Sequence, residues 1–211
     1  MSDIDKTRKW VKKTMWGEAS GHDWFHVERV YTVATTIAQT EKSDLFIVQM
    51  TALLHDIDDP KLNDPKDQEK ALEWMCSLNL DNKVIATIAD NINQISFSKN
   101  KDRSPATIEA AIVQDADRLD AIGAIGIARC FAYGGFKGRI LYNPADLIEV
   151  SLSSGTVPKN ENPSSLLHFY EKLLLIKDLM NTKTGKELAK GRHDFLEVFL
   201  DQFFQEWNGK A

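Results

Sequence analysis

The residues best equipped for chemistry in this sequence are a few histidines and aspartates set among apolar stretches. The run Asp44-Leu-Phe-Ile-Val-Gln-Met-Thr-Ala-Leu-Leu-His55-Asp56 is apolar on nearly all faces, as expected of a helix buried in the middle of a domain, and it ends in an adjacent imidazole and carboxylate. Burying that pair unpartnered costs on the order of several kcal/mol per ion. A divalent metal would neutralise the carboxylate and orient the ring. The plainer alternative is a helix-end histidine bonded to a backbone carbonyl, with Asp56 as a turn residue.

Two further segments change the weight of that pair. Upstream, Gly21-His22-Asp23-Trp24-Phe25-His26 opens a helix with Asp23 as its N-cap, which sets His26 in the first turn on the side shared with Val30, Val33 and Ile37. Downstream, Gln114-Asp115-Ala116-Asp117-Arg118-Leu119-Asp120 carries three carboxylates inside an apolar helical stretch flanked by Ile112, Val113, Ala121 and Ile122. Spacing alone does not choose between Asp115 and Asp117, since both have apolar residues one and two turns before them. Two inward histidines with two aspartates make an N/O donor set suited to a divalent metal with open positions left for water and a phosphate oxygen.

His26, the pair in Leu53-Leu54-His55-Asp56-Ile57, and Asp117 within Asp115-Ala116-Asp117-Arg118-Leu119-Asp120 resemble, in order and spacing, the H…HD…D signature of the HD-domain phosphohydrolases. The likeness spans about residues 20 to 135. The longer strings from Gly21 to Val30 and from Asp115 to Arg129 resemble a small bacterial subgroup with nucleotide pyrophosphohydrolase members. The resemblance implies metal ligands His26, His55, Asp56 and Asp117, the last chosen because a basic residue follows it directly. It also implies a phosphate contact at Arg118, and one divalent ion, with Mn²⁺ first and Mg²⁺, Co²⁺, Ni²⁺, Fe²⁺ or Zn²⁺ as alternatives. The expected reaction is pyrophosphate release from a (deoxy)nucleoside triphosphate. Monophosphate cleavage, cyclic nucleotide hydrolysis and a non-catalytic nucleotide sensor stand as alternatives.

Neighbouring residues extend the expected site. Asp59 follows His55 by four positions and is assigned to water activation or proton donation, with Pro60 ending the helix behind it. Asp64 is assigned as a supporting or substrate-contacting carboxylate and Lys61 as a phosphate contact; a solvated turn around Pro60 is the alternative for Asp58, Asp59 and Asp64. His22, Lys137 in the loop Tyr133-Gly134-Gly135-Phe136-Lys137-Gly138-Arg139, and the i, i+4 pair His168 and Lys172 are further substrate-binding candidates. His193 reads as surface. No Gly-Tyr-Pro follows the His-Asp pair, no Glu-Asp dipeptide occurs, and no histidine lies between His55 and Asp117. These absences argue against the cyclic-dinucleotide, guanosine-tetraphosphate and multi-histidine dinuclear branches, and leave a mononuclear site.

The elements that must position these residues are helices. Apolar spacing predicts an all-α HD-type bundle across residues 1–211, with a metal core at about 20–135 and C-terminal helices at 163–207 completing the fold and pocket. Helical patterns run over Asp67–Leu78, Asn82–Ile95, Thr107–Ile127, Pro163–Met180 and Thr184–Trp207, and Ser151–Ser165 reads as a loop or lid. The composition is that of an ordinary globular chain, 43% hydrophobic and 27% charged. A formal charge of -5 gives no general attraction to nucleic acid, and the cations around Trp10 (Lys6, Arg8, Lys9, Lys12 and Lys13) read as a solvated helix face. With Cys76 and Cys130 far apart and neither an apolar leader nor a membrane-length run, the expectation is a cytoplasmic protein. It meets a small nucleotide rather than a membrane or nucleic acid, with a homo-oligomer compatible.

Overall fold

The computed structural model describes residues 1–17, 23–59, 69–95, 104–146 and 163–210. Among them all regular structure is helical. The helices are α1 (Asp3–Thr14), α2 (Trp24–Ala38), α3 (Leu45–Leu54), α4 (Lys70–Ser77), α5 (Asn82–Ile95), α6 (Ile108–Asp120), α7 (Gly123–Phe136), α8 (Leu167–Glu171), a 3₁₀ helix (Leu173–Leu179) and α9 (Lys183–Trp207). They form two compact units, one comprising residues 1–117 with 181–185 and the other residues 118–180 with 186–211.

In the first unit α3 is the central element, packing on α1, α2 and α5. Ile47, Val48, Met50, Thr51, Ala52, Leu53 and Leu54 are all buried, so nearly every face is covered, as the apolar run requires. Val11, Met15, Trp24, Val27, Met75 and Ile88 complete the core around it. Helix starts are capped locally. Ser2 and Asp5 form a capping box on α1, Asp23 accepts from the His26 amide at 2.8 Å, and Asp44 accepts from Phe46 and Ile47. Trp10, from the basic face of α1, stacks on Trp74 with centroids 4.6 Å apart, so that residue is a packing group.

The second unit gathers α7, α8, the 3₁₀ helix and most of α9 around aromatic rings. Phe169 stacks on Phe199, Phe131 packs at an angle against both, and Tyr142 meets Phe203, Phe204 and Trp207 edge-on.

Three expectations are corrected here. The run Thr107–Ile127 is two helices: α6 ends at Asp120, Ile122 is extended at φ -127° and ψ 168°, and Gly123, the first residue of α7, takes φ +73°. The run Pro163–Met180 is a short helix followed by a 3₁₀ helix. The break falls at Lys172, and Leu173 and Ile176, three apart, share the buried face that a three-residue turn presents. The stretch around Tyr133 is no loop: α7 continues through Phe136, and Gly134 lies so close to Ser165 that a Cβ would meet its Oγ at 2.0 Å. The segment Ser151–Ser165 lies mostly outside the described residues.

Candidate metal centre

The expected ligands come from three helices of the first unit. His26 sits in the first turn of α2, His55 is the C-cap of α3 with Asp56 next to it, and Asp117 lies on α6. Their donor atoms converge. His26 Nε2 is 3.4 Å from Asp56 Oδ2 and 3.4 Å from Asp117 Oδ1, and His55 Nε2 is 3.4 Å from Asp56 Oδ1. One donor atom each from His26, His55 and Asp117 falls within 4.8 Å of the others.

The chemistry of these donors fits a divalent cation. His55 Nδ1 lies 2.8 Å from the Ala52 carbonyl, to which it donates, so the tautomer is set and Nε2 carries the lone pair. That Nε2 is buried and makes no hydrogen bond despite the carboxylate 3.4 Å away. A buried polar atom left in that state costs about 1–3 kcal/mol. Donors bound about 2.1 Å from one ion stand roughly 3.0–3.4 Å from their neighbours, which matches the 3.4 Å of the three pairs above. Burial pushes the Asp117 carboxyl up, and the neighbouring Asp56 carboxylate adds to this, but the hydrogen-bonding interaction with the His26 imidazole 3.4 Å away outweighs both. The group is held below its ordinary 3.8, the direction that favours the carboxylate a divalent cation would take.

Asp115, which spacing left level with Asp117, is fully buried and turned to other work. Its carboxylate accepts from the amides of Asn181 and Thr182, the Asn181 side chain and the Thr182 hydroxyl.

The surroundings of the His-Asp pair also differ from a continued helix. α3 ends at Leu54, and the next bonds run Ile57 N to Leu54 O and Asp59 N to Asp56 O, both 3.2 Å and both spanning three residues. Residues three apart eclipse in such turns, so the half-buried Asp59 follows Asp56 rather than standing a helical turn above His55. Asp58 is no solvated turn residue: its carboxylate accepts from the Lys70 and Ala71 amides and closes the start of α4, whose own N-cap, Glu69, makes no such bond. Composition gave no sign of this, because the partners lie 12 and 13 residues ahead.

The other expected contacts are distributed as follows. His22, Lys61 and Asp64 lie outside the described residues. Arg118 is 5% exposed and donates through Nη1 to the Leu179 carbonyl, which gives the guanidinium a structural anchor that the sequence did not reveal. In the second unit Lys137 is exposed beside the rings of Tyr133 and Phe136. His168 lies 3.4 Å from Glu171, and burial, with Lys172 and Arg139 adding to it, lowers its pKa against the pull of Glu171. His193, expected at the surface, is 5% exposed, with Nε2 at 3.0 Å from Lys177 Nζ and 3.2 Å from Glu197.

An all-helical unit that brings His, His-Asp and Asp to one point defines a metal-dependent hydrolase of the HD type. Residues 24–122 match the HD domain. The chain is 37% identical to the YpgQ protein of Bacillus subtilis (strain 168) over 99% of its own length and 96% of that protein. Among solved structures it resembles an HD-superfamily hydrolase from Bacillus thuringiensis (41% identity, 97% and 96% of the two chains, TM-score 0.77). It also resembles Bacillus subtilis YpgQ in complex with ADP (36% identity, 99% and 100%, TM-score 0.78). The chain belongs to the HD-domain family of hydrolases.

Proposed function

We propose that this hydrolase cleaves a (deoxy)nucleoside triphosphate to the monophosphate and pyrophosphate, using one divalent cation, Mn²⁺ first, held by His26, His55, Asp56 and Asp117. The observation that carries the reading is the gathering of His26, His55 and Asp117 donors within 4.8 Å, with Asp56 3.4 Å from both imidazoles and His55 Nε2 buried and unbonded. The ADP in the YpgQ structure supports a nucleotide as the ligand class. A cation bound there supplies Lewis acidity toward a phosphoryl oxygen and acidifies water at neutral pH.

The chain's own residues do the rest. The Ala52 carbonyl holds the His55 ring in one tautomer, so that imidazole needs no reorganisation during a turnover, and Asp23 holds the backbone at His26. Asp59, pinned through its amide to the Asp56 carbonyl, is assigned to take the proton from the attacking water.

Among the described residues no single helix is long and apolar enough to cross a membrane; α6 and α7 reach that length only together, with a bend at the break between Asp120 and Gly123. The test is a panel of nucleoside mono-, di- and triphosphates with each divalent metal, products separated by ion-exchange chromatography. Pyrophosphate from triphosphates is the expected result. Orthophosphate alone, or no turnover with any metal, defeats the proposal.

A further inference from the structure

Asp115 is an acid with no exposure whose role the metal cluster does not absorb. Oδ1 accepts from Asn181 N at 2.9 Å and Asn181 Nδ2 at 2.8 Å, and Oδ2 from Thr182 N at 2.8 Å and Thr182 Oγ1 at 2.7 Å. The same Thr182 hydroxyl then accepts from Gly185 N at 2.9 Å, at the opening of α9. Next door, Gln114 accepts from Asn181 Nδ2 and donates to the Gln94 carbonyl, both at 2.9 Å, so α6 is tied at once to residue 181 and to α5. Gly185 belongs to this arrangement, since a Cβ there would stand 2.3 Å from Asp115 Oδ2.

Positions two apart on an α-helix point roughly 200° from one another. The face of α6 that carries Asp115 is therefore opposite the face that carries Asp117. With four bonds gripping the first, the rotation of α6 about its axis is set, and with it the reach of Asp117 Oδ1 to 3.4 Å from His26 Nε2. We propose that Asp115 is a positioning residue for the metal centre: by docking residues 181–185 on the back of α6 it holds Asp117 in register with His26 and His55. This inference rests on Asp117 being a ligand, as proposed above. It gives the paired acids of Asp115-Ala116-Asp117 separate duties, one toward the cation and one toward the chain.

The experiment is a Co²⁺ titration followed by visible absorption on the full chain and on Asp117→Ala, Asp115→Ala, Asp115→Asn, Gly185→Ala and Ile88→Val, with thermal melts of each. Asp117→Ala should lose binding. Asp115→Ala and Gly185→Ala should weaken Co²⁺ affinity by about 10–100-fold and alter the spectrum of the bound ion, the range seen when an outer partner of a ligand is lost. Asp115→Asn, which keeps one acceptor oxygen, should fall between. Ile88→Val trims the core of the same unit and should lower the melting temperature without touching affinity or spectrum. Gly185→Ala displaces the Asp115 carboxylate from outside α6, so it carries the test even if Asp115→Ala fails to fold. Wild-type affinity and spectrum in Asp115→Ala or Gly185→Ala, with stability alone reduced, overturn the proposal. Wild-type binding by Asp117→Ala is a different result, which removes the ligand assignment itself.

Discussion

Replacing His55 by Ala separates what the metal contributes to stability from what the fold contributes. Without metal the wild-type protein carries the buried, unbonded His55 Nε2, a cost of about 1–3 kcal/mol. The substitution removes that cost but also the Nδ1 bond to Ala52, worth about 0.5–1.5 kcal/mol, and some ring burial. These terms oppose, so the metal-free variant should lie within about 2 kcal/mol of the metal-free wild type. With metal at a thousand times its dissociation constant, binding stabilises the wild type by about 4.1 kcal/mol. For a chain of this size that is a rise in Tm of about 8–16 °C. The variant, missing one of the four proposed donors, should gain little at the same concentration. Scanning calorimetry of both proteins after chelation and after Mn²⁺ addition measures the four Tm values. An equal Mn²⁺-induced rise in both, or a metal-free variant already lower by the full holo difference, refutes the reasoning.

Asp59→Asn should leave Mn²⁺ affinity near wild type and lower kcat by about 10²–10⁴-fold, since the amide cannot take a proton; steady-state kinetics beside a metal titration reads both, and an unchanged kcat returns Asp59 to a turn residue. Gly134→Ala should destabilise the second unit by about 1–3 kcal/mol in urea unfolding, because the new Cβ meets the buried Ser165. Burial pushes the Cys130 thiol up to about 11, and Glu171 adds to this while Arg139 opposes it. At pH 8 only about a thousandth of it is thiolate, so iodoacetamide should modify the exposed Cys76 first and reach Cys130 mainly after unfolding, as mass spectrometry would show.

The all-helical class, the buried α3 and the His, His-Asp, Asp set were legible in the sequence for local reasons. An apolar run covered on all faces can only be central, Asp23 caps α2 from three residues away, and the family pattern picks out candidate ligands by their neighbours. Helix ends were less legible. The break between Asp120 and Gly123, with Ile122 extended and Gly123 at positive φ, is not encoded in periodicity, and the three-residue turns after Leu54 moved Asp59 from the His55 register to that of Asp56. The duties of the buried acids and bases were decided by tertiary structure alone. Asp115 and Asp117 have the same local setting, and only the arrival of Asn181 and Thr182, some 66 residues later, gives the first to the backbone and leaves the second for the histidines. Asp58 closes α4, Arg118 anchors the Leu179 carbonyl and His193 is buried for the same physical reason. A charged side chain shows its type in the sequence, whereas the partner that makes its burial affordable comes from elsewhere in the chain.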